Sequence, residues 1–301
     1  MSLTTLVEEP EVRERLSWCI PDPQERKLIA EPLVPRARVT SPKREAMLGT
    51  AIDYALRFEI ERNNRHASKR DRWVADRAAR LGPQYGAALR EAREHVQAHV
   101  RSGAPWRGLT VARCALMLAQ LDPYTRSGGM YVPQPPRAEP SDVVEVFRMV
   151  QAAPIAELSH STCVYLNPVF GRYSGLVGGG DADLIIGSRL IDVKLALPDS
   201  GVIEPEWIRQ LVGYAMLSAW QRADLPRAPE VRAVAIYFAR EGVFWSLAPG
   251  LLRRSAFSAT ARWLRERVEA RVRSRNAQQW ALFEEQRTLL RQQKFGVMQD
   301  R

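Results

Sequence analysis

Apolar residues recur along this chain with two periods, and the switch between them marks its elements. Leu184-Ile185-Ile186 is a short β-branched run, followed by Gly187-Ser188 and then by Arg189–Lys194. A two-residue connection with glycine first suits a type II′ hairpin. That turn pairs Ile186 with Arg189, Ile185 with Leu190, Leu184 with Ile191 and Asp183 with Asp192. One more step sets Asp181 opposite Lys194. Directly paired residues share a face. Asp181, Asp183, Asp192 and Lys194 therefore project from one face at the open end, and Leu184, Ile186, Ile191 and Val193 from the other.

Helical spacing takes over on both sides. Residues 206–220 carry an apolar stripe of Ile208, Leu211, Val212, Ala215 and Leu217. Ser41-Pro42 reads as an N-cap and first helical position for a helix through Asn63, with Met47, Ala51, Tyr54, Ala55 and Phe58 on its stripe. Residues 65–80, 84–101 and 108–121 read as helices, the last ending near Asp122-Pro123, and 131–140 as a Pro-rich linker. Another helix spans about 143–152. Cys163–Leu166 reads as the first core strand, Val231–Ala239 and Val243–Leu247 as the last two, and 251–275 as an amphipathic helix. Residues 1–40, with Pro21, Pro23, Pro32 and Pro35, read as a short helix and an irregular arm.

The hairpin's polar face carries chemistry or is merely solvated. Paired residues on one face have Cβ atoms ~4.5–5.5 Å apart. Two carboxylates that close repel, and one protonates unless a cation lies between them. Oxygen ligands alone suit a hard ion such as Mg2+ or Mn2+.

The next helix adds Gln210 and Tyr214, one turn apart on one face. Asp183, then Asp192-Val193-Lys194, then Gln210-x-x-x-Tyr214 resembles the PD-(D/E)xK nuclease superfamily in its RecB-like branch. The likeness covers mainly residues 40–62 and 140–275. It implies an α/β fold: a restriction-endonuclease-like mixed β-sheet core flanked by helices, with a helical insertion. The implied division is an arm (1–40), the nuclease core (41–62 and 141–275), an insertion with its linker (63–140) and a basic C-terminal helix (276–301). The resemblance also implies metal ligation by Asp183, Asp192 and the Val193 carbonyl, with Lys194 acting at the phosphate and Gln210 and Tyr214 in support. Asp181 is the alternative first ligand.

Two further ligands come from the same likeness. RecB-like nucleases often carry G-T-x-x-His on an early helix. Here Gly49-Thr50-Ala51-Ile52-Asp53 puts Asp53 at the histidine's place; the other reading is a helix-surface acid beside Arg57. Glu157, just past a helix, is an extra ligand candidate. Gly178-Gly179-Gly180 has no Lys-Ser/Thr after it and is not a phosphate loop; it lets a backbone approach closely. His95 and His99 lack the glutamate of a zinc helix and read as a solvated face.

Charge strengthens the picture. Forty-four Lys and Arg oppose 34 Asp and Glu, for a net +10 and a pI of 9.9. A basic soluble chain favours a nucleic-acid partner, DNA foremost. Arg-rich composition can also reflect codon usage. Residues 251–301 hold twelve basic against five acidic residues, an excess of seven, on a helix that grips phosphates or a partner or is simply salt-bridged. Cys19, Cys114 and Cys163 are too few and too scattered for a disulfide framework, a zinc site or an iron–sulfur cluster. No leader pattern and no run near ~20 apolar residues is present, which points to a cytoplasmic protein without a membrane partner. The expected activity is metal-dependent hydrolysis of DNA. The alternative is an inactive nucleic-acid-binding module or a subunit of a larger DNA-processing complex.

Overall fold

The hairpin forms in the expected register. In the computed structural model, Leu184 pairs with Ile191, Ile185 with Leu190 and Ile186 with Arg189. Gly187 has φ 62° while Ser188 keeps a negative φ, as a type II′ turn requires. The structure describes residues 2–35, 41–102 and 108–296, the stretch 280–296 as backbone. Residues 36–40 of the expected arm, 103–107 within the insertion and 297–301 of the expected C-terminal helix lie outside the described residues.

In chain order the elements are α1 (Leu3–Val7), α2 (Pro10–Arg15), α3 (Pro42–Asn63), β1 (Ser68–Lys69), a 3-10 helix (Val74–Leu81), α4 (Pro83–Ser102) and α5 (Gly108–Arg126). Then come α6 (Pro140–Ala152), α7 (Ile155–Ser159), β2 (Val164–Leu166), α8 (Arg172–Leu176), β3 (Leu184–Ile186) and β4 (Arg189–Lys194). The chain closes with α9 (Pro205–Asp224), β5 (Ala233–Phe238), β6 (Val243–Ser246) and the 42-residue α10 (Ser255–Gly296). Strands β1 to β6 lie in sequence order in one open mixed sheet. The β1–β2 and β4–β5 pairs are parallel and the others antiparallel. The protein is thus α/β, and no helix among the described residues is long and apolar enough to cross a membrane.

Period two in the strands decides which layer each side chain joins. Leu184, Ile191, Val193, Ala235 and Tyr237 bury against α3, α4, α5 and α6. Ile185, Leu190, Val234, Ile236 and Phe238 bury on the opposite face with α1, α2, α9 and the start of α10. Asp192 and Lys194 share the parity of Leu190, so they belong to the α9 side. Helix α9 is the crossover that makes β4 and β5 parallel.

Several expectations change. Residues 65–80 are not one helix: Ser68-Lys69 adds a strand parallel to β2, so Cys163–Leu166 is not the first strand. Helix α5 runs through Pro123 to Arg126. A proline in the final turn loses little, and Asp122 stabilises that turn by accepting from Tyr54 Oη at 2.8 Å and pairing with Arg126. The arm is largely core: Leu3, Leu6, Val7, Val12 and Leu16 are buried, and Leu3 and Val7 lie against Gly213 of α9. His99 is fully buried, with Nε2 2.9 Å from Glu59 Oε2, rather than on a solvated face.

A second buried ionic group lies behind β5. Arg240 is fully buried and meets Glu145 at 2.8 Å. Glu145 and Asp142 also contact Arg44, each at 2.6 Å. The Arg240 Nη1 donates to the carbonyls of Val34 and Pro35.

Candidate functional site

Strand β3 begins only at Leu184, whereas β4 continues to Lys194. The last residues of β4 thus have no strand partner on the β3 side. Asp183 takes that place with its side chain: its Oδ2 accepts the Val193 N–H at 2.7 Å. In a strand the N–H and C=O of one residue face the same neighbour. The Val193 carbonyl therefore also faces this edge, past the end of β3. Asp192 is buried and lies 2.8 Å from Lys194 Nζ. The Lys194 ammonium sits 5.2 Å from the centre of the Trp207 ring on α9.

Helices α3 and α9 bring in the rest. Helix α3 supplies Asp53, held by Arg57 at 2.5 Å one turn on. Asp53 Oδ1 is buried and has no hydrogen-bond partner. Helix α9 supplies Gln210 and Tyr214, linked by a 3.1 Å hydrogen bond from Gln210 Nε2 to Tyr214 Oη. Tyr214 stacks with Phe170 at 6.0 Å between ring centres. Asp53, Asp183, Asp192, Val193, Lys194, Gln210 and Tyr214 all line one cleft of about 1450 Å³.

The electrostatics single out Asp183. Burial pushes its carboxyl well above the usual carboxylate range, and the charges of Asp53 and Asp192 push it further; the Val193 N–H and Lys194 oppose this only in part. Burial also raises Asp53, against the pull of Arg57 and Arg126. Burial disfavours the Lys194 ammonium, but Asp192 and Asp183 outweigh it and raise its pKa. Burial raises the Tyr214 phenol, so it stays protonated and can donate. An added cation would relieve the repulsion on Asp183.

Not every candidate joins this group. Asp181 lines the cleft but does not face Lys194; its backbone bridges Val169, and its carboxylate lies 3.5 Å from Arg70. The cause is Asn167, at φ 51°, and Pro168, which turn the chain after β2 and draw residues 181–182 outward. With its amide set by this network, Asn167 donates to Asp181 at 3.2 Å and accepts from Arg70 and Arg57. Glu157 lies on α7 at the turn end of the hairpin, 53% exposed and 3.0 Å from Arg189. It cannot share a ligand sphere with Asp192, which sits at the open end. Gly178–Gly180 line the cleft, and Leu3 N–H bonds the Gly179 carbonyl at 2.9 Å.

The residues fit a hard divalent ion. The donors are Asp183, Asp192, the Val193 carbonyl and the unpartnered oxygen of Asp53. No ready-made group of three or more His, Cys, Asp or Glu ligands is assembled among the described residues. Magnesium commonly takes one or two carboxylates and keeps several waters, which matches so sparse a set. Arg57 pairs with Asp53 as the alternative reading of that acid expects, whereas Arg126 is not singled out by the sequence. Arg57 follows Asp53 by four residues, which was the available signal; Arg126 is brought in by α5 passing through Pro123. No known family model, curated protein or solved structure matches the chain.

Proposed function

We propose that this protein is a divalent-metal-dependent nuclease that hydrolyses phosphodiester bonds of DNA on a restriction-endonuclease-like core. The observation that carries the reading is Asp183: a half-buried carboxylate flanked by Asp53 and Asp192, with no ion pair among the described residues, in a cleft that also holds a lysine. A pure binding surface gains nothing from buried acids facing a polyanion. The proposal also matches the order Asp183, Asp192-Val193-Lys194, Gln210-x-x-x-Tyr214 along the chain.

Asp183, Asp192 and the Val193 carbonyl would hold Mg2+ or Mn2+, with Asp53 as a further donor oriented by Arg57. The bound ion would polarise the scissile phosphate and lower the pKa of a coordinated water. Lys194 places a positive charge where negative charge grows at phosphorus, and its raised pKa keeps it protonated for that task. Its pairing with Asp192 fixes its position before substrate arrives. Gln210 and Tyr214 brace the α9 side of the site and present donors to the substrate.

The test is cleavage of linear and circular DNA with magnesium, manganese or EDTA, using wild type, Asp183→Ala and Lys194→Ala after folding is verified. Metal-dependent cutting lost in both variants supports the reading. Cutting of circular DNA adds endonuclease activity. Salt-sensitive binding without cutting, unchanged in the variants, favours an inactive binding module. Cutting that survives both substitutions removes these residues from the mechanism.

A further inference from the structure

Part of the cleft lining comes from the insertion, and its arginines divide into two kinds. Arg126 is paired with Asp122, and Arg70 lies near Asp181. Just outside, Arg57 and Arg93 meet Asp53 and Asp76. Arg72, Arg77 and Arg80 also line the cleft, are exposed, and have no ion pair or hydrogen bond among the described residues. Elsewhere many arginines pair with an acid, including Arg44, Arg62, Arg113, Arg209, Arg240 and Arg271, while scattered exposed ones such as Arg13, Arg90 and Arg148 have no such pair among the described residues. Three unpaired guanidinium groups on one wall of one cleft form a preset anion surface. The wall also contains Asp71, which offsets part of their charge.

The segment that carries them is held firmly. Asp76 accepts the Trp73 N–H at 3.0 Å and both its oxygens take Arg93 Nη2 at 2.8 and 2.9 Å. The Trp73 ring packs between Arg93 and Phe58, at 4.4 and 5.5 Å. Thr125 donates to the Val74 carbonyl at 2.6 Å. The segment is a 3-10 helix, Val74–Leu81, in which residues three apart lie in line. Arg77 and Arg80 are therefore stacked about 6 Å apart along its axis. That step is comparable with the spacing of successive phosphates on an extended strand.

We infer that Arg72, Arg77 and Arg80 form a phosphate-binding subsite that takes consecutive phosphates of a single nucleic-acid strand threaded past the carboxylates. The inference rests on the nuclease reading for its substrate class. It extends that reading in assigning strand binding to the insertion and in choosing a single strand. One line of guanidinium groups on one wall matches one backbone, and Ser2, Thr4 and Gly178–Gly180 bound the same cleft.

The test is binding, not cleavage. A fluorescein-labelled 20-nucleotide single strand and the matching duplex are titrated by anisotropy in EDTA from 50 to 200 mM salt. The proteins are wild type, Arg72→Ala/Arg77→Ala/Arg80→Ala, and a charge-matched control, Arg13→Ala/Arg90→Ala/Arg148→Ala, whose sites are exposed and outside the cleft. Melting curves verify folding. The wall variant is expected to bind the single strand about tenfold or more weakly at 50 mM salt. The slope of log affinity against log salt should become shallower by about 2, at ~0.7 per phosphate contact. The control should bind like wild type. Equal loss in the control, no loss in the wall variant, or no binding by wild type overturns the inference. Tighter duplex binding with the same arginine dependence overturns the single-strand assignment. Cleavage separates the two readings: cutting with unchanged wall-variant binding sinks only this inference, whereas arginine-dependent binding without cutting sinks only the nuclease.

Discussion

Two buried ionic groups flank the β4–β5 pair, and they are built on opposite plans. Behind β5, Arg240 and Arg44 meet Glu145 and Asp142 directly, each contact at 2.6–2.8 Å. At the end of β4, Asp183 is half-buried and its carboxylate bonds only an amide, with two other carboxylates nearby. The first group is closed: each charge has its counter-charge within the fold. In the second, no Lys or Arg among the described residues forms an ion pair with Asp183. Burial of charge alone therefore does not mark a site; burial without local neutralisation does. The closed group holds the 33–35 segment to β5, and the open one leaves the Asp183 carboxylate without a counter-charge among the described residues.

The sharpest way to break this contrast is to remove the open charge. Asp183→Asn keeps an acceptor for the Val193 N–H but loses the negative charge. Metal-dependent cleavage should fall about 10³-fold or more, measured as kcat on plasmid DNA. A change under tenfold would place the site elsewhere. Next comes the closed group. Arg240→Ala leaves Glu145 buried beside one fewer cation and should cost about 3–5 kcal/mol in urea unfolding. A loss under 1 kcal/mol would deny that the group is closed.

The same Asp183→Asn change should raise stability without metal, by roughly 1–2 kcal/mol near neutral pH. The sign follows from the raised pKa. Asp183 is protonated in both states at low pH, so it costs nothing there. Above the unfolded value the native state resists ionisation, and stability falls as pH rises through the native pKa. The gap between variant and wild type should therefore close on acidification. Magnesium should raise the melting temperature of wild type and leave the variant unchanged. A variant that melts below wild type at neutral pH would contradict this. The smallest effect belongs to Glu157→Gln. Its exposed pairing with Arg189 is far from the cleft, so cleavage should change less than twofold and stability less than about 0.5 kcal/mol.

How much of this was legible in the sequence depended on the range of the forces involved. The hairpin register followed from two turn residues and the strand period, both local. Asp183, Asp192 and Lys194 came with it because they sit on the hairpin itself, whereas Gln210 and Tyr214 came from helical spacing and the order of motifs along the chain. Asp181 was misplaced because the pairing rule assumes an unbroken strand, and Asn167-Pro168 breaks it from a neighbouring segment. Ser68-Lys69 has no apolar alternation, and its pairing with β2 is purely tertiary. The buried arm was partly visible, since Leu3, Leu6 and Val7 have helical spacing. Pro10 and the later prolines masked it. The sequence places the cleft arginines only in a helical insertion that could flank a substrate channel, because composition does not tell a paired arginine from an unpaired one.

The packing of Leu3 and Val7 against Gly213 also sets an order of events. Residues joined there are over 200 positions apart in sequence. During synthesis the first helix leaves the ribosome early, yet its apolar side has nothing to cover until α9 has followed. The two other helical neighbours of that face, α2 and the start of α10, do not close it alone. Such long-range closure is slow and comes late. Because Ser2 and Thr4 also line the cleft, one rim of the site depends on a contact that only the distant α9 can complete.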